Sequence, residues 1–133
     1  MRRRGAFTLV AVDSLGQTDG PDSASRKKIH SPVPVEEVVG GFIVAEAGGR
    51  ARGHVITIDV VSAARRSGVG SLLLRAAEDR LIVAGCRVVE LETAVDNVSA
   101  LSFYKRHCYS VSRTSPNYYS NGVDALVLEK RLI

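Results

Sequence analysis

Tryptophan is absent, and aromatic residues supply only 5% of the 133-residue chain. Surfaces that stack unpaired bases are built from aromatic rings, so nucleic acid is disfavoured as a partner. Cysteine is as scarce: Cys86 and Cys108 are too few for a disulfide framework or for a structural zinc site, which takes about four ligands. Both read as small buried hydrophobes. His30, His54 and His107 are scattered without ligand spacing, so no metal is expected. No apolar run nears the roughly 18 residues of a membrane helix, and the best one, Val38 to Ala45, is broken by Gly40 and Gly41. Arg2, Arg3 and Arg4 ahead of Phe7–Val12 mimic the start of a signal peptide. That apolar part is only six residues, short of the roughly 7–15 a signal needs, and it runs into Asp13. A soluble, cytoplasmic protein with no membrane partner is the expectation.

What is present is ordinary for a globular domain: 45% apolar and 24% charged residues. A chain this long buries roughly two thirds of its unfolded surface and needs no covalent staple. The net charge of +4 is unevenly placed. Residues 1–28 hold six basic residues (Arg2, Arg3, Arg4, Arg26, Lys27, Lys28) against Asp13, Asp19 and Asp22, giving +3, and the other 105 residues carry +1. The excess is a basic arm, which leaves an anionic partner for that arm open. One domain over 1–133 is expected, with a basic, loop-rich segment over 1–35 ahead of a core over 36–133.

Phe7–Val12 is β-branched and apolar and reads as a strand. Residues 13–34, rich in Gly, Ser, Asp and Pro, read as a long loop. Val38–Ala47 and His54–Val61 read as strands joined by Gly48-Gly49-Arg50. From Val69 to Ala84 the period becomes helical, with Val69, Leu73, Ala77 and Leu81 at four-residue spacing and Gly85 as its stop. Arg87–Val95 is a strand, and Asp96-Asn97 caps a second helix running to about His107. Strands over Tyr109–Arg113 and Ala125–Lys130 close an α/β domain with a mixed sheet.

Between the strand and the first helix lies Arg65-Arg66-Ser67-Gly68-Val69-Gly70-Ser71. Glycines let the backbone turn with its N–H groups inward, and the new helix adds unpaired N–H donors and its positive dipole end. A phosphate or pyrophosphate is the natural guest. No Gly-Lys-Ser/Thr ends the stretch, so it is not a Walker loop, and its spacing is not that of the dinucleotide fingerprint. Plain turn chemistry is the alternative.

From Ile58 to Tyr109 the order of residues resembles the GNAT superfamily of acetyl-CoA-dependent N-acetyltransferases. The pattern is Arg65, Gly68 and Gly70 before a long helix, then Leu91-Glu92 at a strand end, then Asn97, Ala100, Phe103 and Tyr104. Asn117-Tyr118-Tyr119 with Gly122, Asp124 and Ala125 is similar to the closing hairpin of ribosomal-protein N-terminal alanine acetyltransferases and their archaeal relatives. The likeness covers about 95 residues, Val38 to Leu132.

The resemblance implies a mostly antiparallel mixed sheet with central strands splayed by a bulge, flanking helices, and residues 36–133 as an acetyl-CoA-binding core. The backbone of Ile58, Asp59 and Val60 would pair with the pantetheine arm. The amides of Arg66, Ser67, Gly68, Val69, Gly70 and Ser71 would hold the pyrophosphate. Asn97 would touch the cofactor further along, or is simply the helix cap. Glu92 would be the general base, acting through water, or is an ordinary strand-end carboxylate beside Glu90; Tyr104 would be the general acid for the departing thiolate, or is a core aromatic beside Phe103 and Leu101. Tyr118 and Tyr119 would hold a peptide N-terminus, or would only pack a hairpin. An α-amine of pKa near 8 is neutral in roughly a tenth of molecules at pH 7, a lysine in fewer than one in a thousand, so a carboxylate suits the former. An amide near Val60 would stabilise the oxyanion.

Two departures stand out. Cys108 replaces the family's glycine after the second helix, at a position that often requires a left-handed backbone. The family's two N-terminal helices, which wall the acceptor site, have no periodic counterpart before Val38. The favoured acceptor is a protein N-terminal α-amine. A lysine or small-molecule amine, a catalytically idle acyl-CoA-binding module, and a nucleic-acid binder working through Arg2–Arg4 are the rivals. A homodimer is left open.

Overall fold

The structure is a computed structural model that describes residues 5–14, 28–30, 37–61 and 68–133. Its elements in order are β1 (Gly5–Ser14), β2 (Lys28–His30), β3 (Glu37–Ala47), β4 (Arg52–Val60), α1 (Val69–Val83), β5 (Val88–Ala94), α2 (Val98–Arg106), β6 (Ser110–Ser115) and β7 (Ala125–Arg131). The strands form one seven-stranded sheet in the order β2-β1-β3-β4-β5-β7-β6. Only β4 and β5 run parallel; every other pair is antiparallel. This is the mixed α/β sheet the sequence predicts. One correction falls inside the expected long loop, where Lys28–His30 pairs with Val10–Val12 of β1 as a short strand.

The turn between β3 and β4 also differs from its glycine signal. Arg50 and Ala51, not the glycines, take the left-handed conformation, at φ 60° and 57°. Two successive positive φ values suit a two-residue hairpin turn, which matches the twist of the flanking strands. Arg52 N donates to Gly49 O at 3.3 Å and closes it, and Gly48 N donates to Arg52 O at 2.7 Å just outside.

The four-residue apolar spacing of α1 becomes its buried stripe. Val69, Leu73, Leu74, Ala77 and Leu81 pack against Ile43 and Ala45 of β3, Val55 of β4 and Val89 and Leu91 of β5. Each fully buried leucine is worth about 1.5–3 kcal/mol. One polar group joins them: Glu78 accepts from the Tyr109 hydroxyl at 2.7 Å and from Lys130 Nζ at 2.9 Å. Burial, then the Glu78 charge, push the Tyr109 phenol well up, so it remains a donor. That cluster ties α1 to β7 and to the chain leaving α2. Cys86 is buried as expected, but Cys108 is exposed, contrary to expectation.

Cys108 sits at φ 73°, the left-handed conformation its family position calls for. Its N–H donates to Lys105 O at 3.1 Å, and Tyr109 N donates to Tyr104 O at 3.0 Å, closing the helix end. Because the side chain is exposed, Cys108→Gly removes backbone strain without opening a cavity. The strain outweighs the extra freedom glycine gives the unfolded chain, so stability is expected to rise by about 0.5–1 kcal/mol. Thermal denaturation should show a Tm increase of roughly 2–4 °C; a decrease would contradict the strain argument.

Candidate active site

β4 and β5 are paired only through Arg52↔Val88, Gly53↔Val89 and His54↔Glu90. Beyond His54 the two strands part. The register between β3 and β4 shifts at the same place: Val44 faces Thr57 and Ala45 faces Val55, leaving Ile56 as the extra residue. A bulge bends its strand and increases the local twist, which turns β4 away from β5. The gap is a cleft of about 990 Å³, walled by residues 55–60 on one side and 91–94 on the other, with Gly70, Asn97, Phe103, Tyr104 and Tyr119 at its edges. The splayed strands and bulge implied by the resemblance are both present.

The sequence-predicted residues fall around this cleft as follows. Ile58, Asp59 and Val60 line it from β4. Arg66 and Ser67 lie outside the described residues. Gly68 is the N-cap of α1 at φ 87°, with no side-chain cap and no acid in the first turn. Among the described residues no side chain caps the N–H groups of Val69, Gly70 and Ser71, which stand at a helix end that carries partial positive charge. Gly70 is needed for its size: a Cβ there would come within 3.3 Å of the Phe103 ring. Asn97 is the helix cap, its Oδ1 accepting from Ala100 N at 3.1 Å, and it also lines the cleft. A stretch of β4 that β5 does not pair beyond His54, leading to the start of α1, fits an elongated thioester that carries a diphosphate.

Glu92 and Tyr104 share the cleft. Glu92 Oε1 lies 2.7 Å from His54 Nε2, and a carboxylate only accepts, so Nε2 carries the proton. His54 Nδ1 lies 3.9 Å from Glu46 Oε2. His54 is the last β4 residue in register with β5, so the pair spans the point where the strands divide. Nothing in the sequence spacing assigns His54 a role. The sequence separation of 38 between it and Glu92 is closed only by strand register.

Tyr104 is buried, its ring edge-on to Phe103 and Tyr109 with centroids 5.3 and 5.7 Å away. It is thus both a core aromatic and a cleft residue. Burial, and secondarily Tyr119, push its phenol up to about 12. Its hydroxyl has no hydrogen-bond partner among the described residues. Tyr119 reaches the cleft, whereas Tyr118 stands edge-on beside it, centroids 4.9 Å apart, and is half exposed. Burial raises both phenols, and the Glu92 charge raises both further. Their loop is held by Asp124 Oδ1, which accepts from Asn117 N at 2.8 Å, while Asp124 O accepts from Val95 N at the end of β5 at 3.1 Å.

Comparison with known proteins agrees with this geometry. Residues 19–108 match the Acetyltransferase (GNAT) family. An uncharacterized N-acetyltransferase of Methanocaldococcus jannaschii is 30% identical over 92% of this chain and 91% of its own. N-alpha-acetyltransferase 30 of Homo sapiens is 37% identical over 59% of this chain, a match that spans 22% of the human protein. Among solved structures, the NatC complex bound to Gag peptide and CoA contains a chain that superposes with a TM-score of 0.70 at 25% identity, covering 80% of this chain and 70% of that one. With a cleft opened between parallel strands, the start of α1 beside it and these relatives, the chain belongs to the GNAT family and is an acetyl-CoA-dependent N-acetyltransferase.

Proposed function

We propose that the enzyme acetylates protein N-terminal α-amines, with Glu92 as general base and Tyr104 as general acid. The observation that carries this reading is the parting of β4 and β5 beyond His54, which places Glu92, Tyr104 and Tyr119 around one cleft. N-alpha-acetyltransferase relatives support the choice of acceptor.

Acetyl-CoA supplies an activated acyl group. Ile58, Asp59 and Val60 bind its arm along the part of β4 that β5 does not pair. Arg66 to Ser71 receive its diphosphate at the start of α1, and Asn97 lies further along the cleft. Glu92, oriented by His54, takes a proton from the acceptor amine through water. The neutral amine attacks the thioester carbonyl and forms the C–N bond, and Tyr104 gives its proton to the sulfur as the C–S bond breaks. Tyr118 and Tyr119 hold the peptide beside Glu92, on the loop that Asp124 anchors to β5.

The test is acetyl transfer to peptides with a free N-terminus, compared with N-terminally blocked peptides that carry one internal lysine. The amine pKa difference favours the first set at pH 7, by roughly two orders of magnitude in neutral fraction. At least a tenfold preference in kcat/KM is expected. Equal rates, or a preference for lysine, would reassign the acceptor while leaving the acetyl-CoA reading intact.

A further inference from the structure

The first turn of α1 is gripped from the side by the end of α2. Ser71 Oγ lies 2.9 Å from His107 Nε2. The His107 ring tilts onto Phe103 with centroids 4.8 Å apart, and Phe103 closes on Gly70. Ser71 is the third residue of α1, so its amide stands at the positive end of the helix and its hydroxyl is held beside that end by His107. A hydroxyl has one proton to give and two lone pairs. Opposite a bare imidazole nitrogen, Ser71 would donate that proton to the ring. Opposite Nε2–H it accepts, and its own proton stays available for an anion.

We propose that His107 is a positioning residue for the coenzyme's diphosphate: its Nε2–H holds the Ser71 hydroxyl so that Ser71 donates to a phosphate oxygen. The inference rests on reading the α1 first turn as the diphosphate site. It assigns a role to the end of α2, which neither the motif at 65–71 nor the cleft residues include.

Proton coupling follows. The charged groups facing His107 are Arg75 and Glu78 of α1, Arg106 of α2 and Lys130 of β7. Burial above all, then Lys130, Arg75 and Arg106, hold the imidazole below its ordinary value, with Glu78 acting in the opposite direction. A bound diphosphate adds negative charge and favours the protonated ring, so binding takes up a proton. Affinity is therefore highest below the free-state pKa, declines as pH rises towards the bound-state pKa, and is level above it.

The experiment is calorimetric titration with dephospho-CoA from about pH 5 to 8, the range of histidine titration. This probe lacks the 3′-phosphate, and its diphosphate does not titrate in that range. Wild type is expected to bind more tightly as pH falls. His107→Leu and Ser71→Ala should each weaken binding by ~5-fold at pH 7, and the double variant no further, as for one shared hydrogen-bond chain. His107→Gln, which keeps an N–H donor, should recover neutral-pH affinity within about twofold while its pH profile stays flat. Wild-type affinity matched by His107→Leu, or a pH slope that persists in His107→Leu, overturns the role of His107. Failure of wild type to bind dephospho-CoA at all overturns the diphosphate site itself.

Discussion

Glu92→Gln is expected to lower kcat for an N-terminal peptide about 10²-fold while the Kd for acetyl-CoA stays within about twofold. The amide matches the carboxylate in size, so it can still accept from His54 Nε2, which now lies 2.7 Å from Glu92 Oε1. What it cannot do is accept a proton from the acceptor. The pH dependence makes the prediction specific. An α-amine sheds its own proton above about pH 8, so the need for a base shrinks there and the gap between wild type and variant should narrow. A loss of equal size at every pH, or a parallel loss of acetyl-CoA affinity, would show that Glu92 shapes the cleft rather than moving a proton. Rates are read from pre-steady-state acetyl transfer, so that product release does not mask the chemical step.

That Glu92 could be singled out from the sequence, while His54 could not, follows from how each is specified. Glu92 lies at a strand end twelve residues before Tyr104, in an order of residues that resembles the GNAT family, and it is that resemblance that singles it out. His54 reaches Glu92 only because β4 and β5 pair in parallel for three residues and then part. Register of this kind is a tertiary property, and neither strand's own alternation encodes it. The same limit hid β2: Lys28–His30 is three residues long, among turn formers, and is a strand only because β1 offers it an edge. By contrast α1 was legible nearly to the residue, because its apolar stripe and Gly85 are local signals. Cys108 was legible in one respect and not the other. Its left-handed backbone follows from the helix end, but its exposure depends on which way that end faces.

Tyr104→Phe is expected to reduce kcat by about 10²-fold with acetyl-CoA affinity nearly intact. Two physical points separate this from a packing defect. The ring contacts with Phe103 and Tyr109 involve the ring, which the substitution keeps. The hydroxyl has no hydrogen-bond partner among the described residues, so its removal orphans no buried group and Tm should not fall. The wild-type pH profile carries the complementary sign. Because burial pushes the phenol up to about 12, Tyr104 keeps its proton as pH rises, and kcat/KM should climb through the amine's pKa to a plateau. A bell-shaped profile that turns down below about pH 10, and loses that limb in Tyr104→Phe, would mean the phenol ionises far more easily than its burial allows. In that case Tyr104 would stand in a wetter, more open site than the cleft between β4 and β5 provides.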